Sequence, residues 1–195
     1  MYKHLDDDRY LDITVPKYEM SLLREEIFSD QIHEDFRSEL AGNQSEGKLL
    51  SWYCKEQLGK YLCHHAKEFK GFEYELESIW FNVSYAGDFN PPHAHGGDLS
   101  FVIFVEIPYT MIDQIDKYHA NGSNLAAHFS FYYNDIFGNQ CDLPLPVDVT
   151  YENTMFMFPA KLRHGVYPFH GTESPRVTVS GNLVKKTWHP LYNLL

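Results

Sequence analysis

The chain has 195 residues, with 16 Lys and Arg against 27 Asp and Glu and a formal net charge of −11. Aromatic residues make up 16 % and hydrophobic residues 44 % of it, a core-forming composition that excludes a disordered chain. So acidic a balance, with Lys185-Lys186 as its basic doublet, also argues against a nucleic-acid partner held mainly through its phosphates.

The length suits one domain, residues 1–195, since single cores divide only beyond roughly 250 residues. The longest apolar run is Phe101 to Val105, far short of the ~20 residues of a membrane span. The start, Met1-Tyr2-Lys3-His4, lacks the apolar stretch of a secretory signal. Cys54, Cys63 and Cys141 lack CxxC spacing, so reduced thiols in a cytoplasmic protein are expected.

Residues 1–70 read as a helical support. Ser21 is placed to cap a helix carrying Leu23, Ile27, Ile32, Phe36 and Leu40, which ends at Ala41-Gly42-Asn43. A second helix is predicted from Ser45 through Leu50, Cys54, Leu58, Leu62 and Phe69, with Gly71 as its stop. The adjacent His64 and His65 on that helix diverge by ~100° and are read as one core-edge and one solvated ring.

From Phe72 the period changes. Strands are predicted at 73–85, 99–107, 126–133, 147–151, 154–158 and 176–184, with a weaker one at 165–169. Helices followed by many short strands indicate an α+β, mainly β fold with an antiparallel sheet, and the strand count fits a double-sheet jelly roll over residues 71–187. The polar stretch from Pro108 to Asn124 is long for a hairpin connection and is read as a functional loop or lid.

The chemistry concentrates in Asn90-Pro91-Pro92-His93-Ala94-His95-Gly96-Gly97-Asp98, which leads into the strand Leu99 to Val105. Histidines at i and i+2 of an extended chain lie on one side and can grip one metal ion. A third histidine, His164, follows the run Met155 to Pro159. Twelve residues later Arg176 opens a strand in which Val177, Val179 and Leu183 take one face and Arg176, Thr178, Ser180 and Asn182 the other. A polar inward face headed by Arg suggests a lined pocket; the same face turned to water is the competing assignment.

These pieces, together with Trp80-Phe81-Asn82-Val83 and Gly87-Asp88-Phe89, resemble the iron(II)- and 2-oxoglutarate-dependent oxygenases. They are similar in particular to the small members of marine bacteria and of phages infecting cyanobacteria and related hosts. The resemblance covers residues 75–185 and implies a double-stranded β-helix fold. It implies Fe(II) and 2-oxoglutarate as cofactors, with His93 as the first metal ligand and His164 as the last. Arg176 takes the place of the residue that pairs with the distal carboxylate of 2-oxoglutarate, a role suited to its planar fork. Thr178 can add a hydroxyl to that carboxylate, and Asn82 is a candidate for the other end of the co-substrate.

The chain departs from the family's usual His-x-Asp/Glu…His pattern at His95. Either His95 is the second ligand, or Asp98 supplies an anionic one or orients a histidine. The resemblance implies hydroxylation of an unidentified substrate, a peptide side chain or small molecule in preference to nucleic acid. Two alternatives stay open. A cupin-type metal protein would share the fold, although Leu99 and Ser100 stand where its glutamate belongs. A non-catalytic phage jelly roll would have no use for three histidines and an arginine.

Overall fold

The computed structural model describes residues 9–116 and 124–187. Along the chain run β1 (Leu11–Thr14), α1 (Lys17–Ile27), β2 (Glu46–Leu49), α2 (Trp52–Lys70), β3 (Tyr74–Ser84), β4 (Asn90–His93), β5 (Leu99–Glu106), α3 (Met111–Asp116), β6 (Phe129–Asn134), β7 (Gln140–Leu145), β8 (Thr154–Pro159), β9 (Arg163–Val166) and β10 (Arg176–Lys185). Two antiparallel sheets face one another: a larger one ordered β1-β8-β5-β10-β3-β2 and a smaller one ordered β4-β9-β6-β7. This is the mainly β, double-sheet jelly roll expected from the strand pattern.

Alternation along the central strands divides the interior into two cores. Phe101, Ile103 and Val105 of β5, with Met155 and Met157 of β8 and Val177 and Val179 of β10, pack on α1 and α2. Val102 and Phe104, with Phe156 and Phe158, turn to the opposite face and meet Phe129 and Phe131 of the smaller sheet. Strands covered on both faces must be apolar throughout, which is why Phe101 to Val105 reads as an unbroken run.

The helical support is smaller than its sequence suggests. α1 begins at Lys17 and ends at Ile27, so Ser21 lies inside it and is no cap. Ile32, 96 % exposed, lies outside any apolar face. The segment assigned to that helix instead runs beside β2, with Phe36 N donating to Gly47 O and Leu49 N to Glu34 O. α2 starts at Trp52 rather than Ser45; Ser51 caps it by accepting from Cys54 N at 3.2 Å, and Gly71 closes it at φ 76°. His64 is solvated and His65 largely covered, both beside Glu68.

Four short strands escape the sequence pattern: β1, β2, β4 and β7. All lie at sheet edges. There a strand tolerates residues that cannot donate to a ladder, as Pro91 and Pro92 in β4 and Pro144 in β7 illustrate. The strand expected at 147–151 is replaced by a single 3-10 turn, Val149–Tyr151, whose start is fixed by Thr150 N donating to Asp148 at 3.0 Å. The stretch proposed as a lid includes α3; residues 117–123 of it lie outside the described residues.

Candidate metal centre

The smaller sheet assembles the histidines. β4 pairs with β9 so that His93 stands opposite His164, and β6 sets Phe131 against His164 on the other side. Gly165 permits the close crossing of β4, because a Cβ there would stand 3.1 Å from Asn90 O and 3.2 Å from Pro92 N. His95 follows just beyond β4, where its backbone N–H donates to Ala160 O at 2.9 Å. Two basic side chains brace the segment: Arg163 donates to Pro92 O at 2.7 Å and Lys161 to His95 O at 3.0 Å.

The three rings lie 4.4–5.0 Å apart between centroids, and one ligating nitrogen from each falls within 4.8 Å of the others. His93 Nδ1 lies 2.8 Å from Pro91 O, and His164 Nδ1 lies 3.1 Å from Leu162 O. A carbonyl only accepts, so each Nδ1 carries the proton and each Nε2 presents its lone pair. His95 Nε2 and His164 Nε2 are 3.2 Å apart. Two imidazole nitrogens bound ~2.1 Å from one ion at a right angle stand about 3 Å apart, so this spacing fits a shared ion. Phe129 stacks on the His164 ring at 5.7 Å and Trp80 lies 5.9 Å from His95.

Burial keeps these rings neutral. Desolvation, aided by the neighbouring His93, lowers His164 to about 3 and His95 to about 4, and desolvation also lowers His93. Neutral imidazole is the ligating form. It also sets a pH dependence. Below about 6.5 the unfolded chain protonates histidines that the folded chain holds neutral, so stability present above that pH is lost as the pH falls toward 4. Each such group contributes up to about 1.4 kcal/mol per pH unit in that window. Thermal melts of metal-free protein between pH 7 and 5 should show this slope, and His164→Gln should flatten it; an equal slope in both contradicts neutral burial.

The larger sheet supplies the facing wall. Arg176, Thr178 and Ser180 of β10 lie opposite Ser84, Asn82 and Trp80 of β3 and line the same cavity as the three histidines. The polar face therefore turns inward. Arg176 is 5 % exposed. It donates to Tyr109 Oη at 3.2 Å and lies over the Phe169 ring at 5.2 Å, while Phe169 stacks on Tyr109 at 4.9 Å. Among the described residues no carboxylate pairs with it. A buried guanidinium without an anion is costly, so the pocket is suited to an anionic ligand. Asn82 Oδ1 is also buried without a hydrogen-bond partner.

Asp98 does not join the cluster. Its carboxylate accepts from Lys185 N at 2.8 Å, its backbone N–H donates to Leu183 O at 2.9 Å, and it is exposed. It fastens the end of β10 and stands outside the three-histidine cluster. Tyr109 and Phe169 went unread, because nothing local in Pro108-Tyr109-Thr110 signals a contact 67 residues away. Leu40, Ala41 and Gln44 also wall the cavity, held there by Asn90 donating to Ala41 O at 2.8 Å and by Ser45 N and Oγ donating to Asp88 at 2.9 and 2.8 Å.

Residues 78–182, just over half of the chain, match the family model described as "Putative 2OG-Fe(II) oxygenase". The chain belongs to this family. The match runs from β3 into β10 and contains all three histidines, Arg176, Thr178 and Asn82. No curated protein matches the chain. Among solved structures, this oxygenase is similar to a 2OG-Fe(II) oxygenase-family oxidoreductase from Burkholderia pseudomallei (12 % identity, TM-score 0.61, covering 93 % of this chain and 87 % of that one). It is also similar to a Pseudomonas putida prolyl-4-hydroxylase (15 %, 0.53, 91 % and 93 %) and to HygX from Streptomyces hygroscopicus, solved with nickel, 2-oxoglutarate and hygromycin B bound (10 %, 0.56, 93 % and 84 %). At such identities the likeness is one of fold. The family match, not the fold, favours the oxygenase over the cupin-type and phage jelly-roll alternatives. Among the described residues no helix is long and apolar enough to cross a membrane.

Proposed function

We propose that this oxygenase holds Fe(II) with His93, His95 and His164 and holds 2-oxoglutarate through Arg176. The buried Arg176 guanidinium, without a carboxylate partner among the described residues, lies in the cavity of the three histidines and is the observation that carries this reading. Bound iron and co-substrate supply the oxidation: 2-oxoglutarate and oxygen give succinate and carbon dioxide, with one oxygen atom entering a substrate C–H bond.

The chain's own part is to bind and orient. Arg176 would pair with the distal carboxylate, with Thr178 of the same cavity wall and the Tyr109 hydroxyl as neighbouring polar groups. Asn82, opposite Thr178, is assigned to the other end of the co-substrate. Phe129, Phe158 and Trp80 exclude water around the rings of His164 and His95.

The substrate is proposed to be a peptide side chain or a small molecule, since the −11 charge opposes nucleic acid. The acidic composition and three unpaired cysteines support a cytoplasmic setting. Anaerobic titration of the Fe(II)-loaded protein with 2-oxoglutarate tests the assignment: a visible charge-transfer band is expected, and a spectrum unchanged at saturation contradicts it.

A further inference from the structure

We infer that His95 makes metal binding and 2-oxoglutarate binding strongly interdependent in this chain. The inference rests on the functional reading above and goes beyond it. The ligand cluster consists of three imidazoles, and the nearby carboxylate of Asp98 is turned away to Lys185 N. Among the described residues no carboxylate joins the cluster, so an ion held there would keep its full double positive charge. Arg176, a second buried cation lining the same cavity, also lacks a carboxylate partner among the described residues.

With no anion present, ion and guanidinium oppose one another in a site where burial weakens screening. The guanidinium therefore lowers the affinity for an ion that binds without an anion. A dicarboxylate reverses this, because one end meets the ion and the other meets Arg176. A site with a carboxylate at position 95 neutralises part of the ion's charge itself and leaves less for the co-substrate to compensate. The greater part of the interdependence is thus contributed by the histidine at this position. It is also reciprocal: 2-oxoglutarate tightens the metal by the same factor that the metal tightens 2-oxoglutarate.

The test uses Mn(II), which binds without turnover, on full-length wild-type and His95→Asp protein. Mn(II) affinity is measured by calorimetry without 2-oxoglutarate and at saturation, and 2-oxoglutarate affinity is measured with and without Mn(II). Wild type should show a mutual enhancement of about tenfold or more, equal from both directions. His95→Asp should bind Mn(II) alone more tightly and show an enhancement several-fold smaller. His95→Glu serves as a second carboxylate if the aspartate variant unfolds, and Arg176→Gln should also bind Mn(II) alone more tightly than wild type. An enhancement in the carboxylate variants as large as in wild type overturns this inference while leaving the functional reading intact. Failure of 2-oxoglutarate to bind Mn(II)-loaded wild type overturns both.

Discussion

Protein carrying His93→Ala together with His164→Ala should lose measurable Fe(II) or Mn(II) binding. Wild type should take up one ion per chain in the same equilibrium dialysis. The two residues stand opposite each other across β4 and β9, and each has its Nδ1 proton engaged by a backbone carbonyl so that Nε2 is left to ligate. Removing both leaves one imidazole, and affinity should fall by more than the ~100-fold that changes around a ligand cost. The ladder contacts of both strands are made by backbone, so the variant should retain a cooperative melt. Stoichiometric metal uptake by a folded double variant contradicts the assignment.

The second large effect is expected at Arg176. In the Mn(II)-loaded protein Arg176→Ala should weaken 2-oxoglutarate binding by ~10²–10⁴-fold while the chain still takes up metal. Two charge-assisted hydrogen bonds at about 1.5–3 kcal/mol each account for that range. Arg176→Lys should recover a part of it, because a point charge remains but the paired geometry is gone. Among the described residues the guanidinium meets the Tyr109 hydroxyl and the Phe169 ring and no carboxylate. The substitution therefore removes an uncompensated buried charge and leaves no buried carboxylate stranded. Unchanged 2-oxoglutarate affinity would show that the dicarboxylate is held elsewhere.

What the sequence made legible follows period and spacing. β3, β5, β8 and β10 are long, apolar on at least one face and bounded by turn residues, so they were predictable to within a residue or two at most ends. His93, His95 and Arg176 could be read because an extended chain fixes which side chains share a face. His164 could be placed beside them through the family resemblance. The edge strands were hidden by prolines and polar residues that an edge tolerates.

The overlong first helix has another cause. Ile32, Phe36 and Leu40 recur every fourth position by coincidence: Ile32 is exposed, Phe36 bonds through its backbone to β2, and Leu40 closes a 3-10 turn. Tyr109, Phe169 and Gln44 enter the site through tertiary packing alone, which leaves no local trace. Asp98 shows the converse: proximity in sequence to the histidines placed it among the candidates, and a backbone N–H at the end of β10 takes its carboxylate.

The central claim is that three histidines hold the ion and Arg176 holds the far end of its organic co-ligand. A crystal structure grown anaerobically with Mn(II) and N-oxalylglycine, an inert mimic of 2-oxoglutarate, tests it most directly. An anomalous manganese peak ligated by His93, His95 and His164 is expected, with the mimic's distal carboxylate on Arg176. Manganese bound without His95, or a mimic whose distal carboxylate lies away from Arg176, would contradict it.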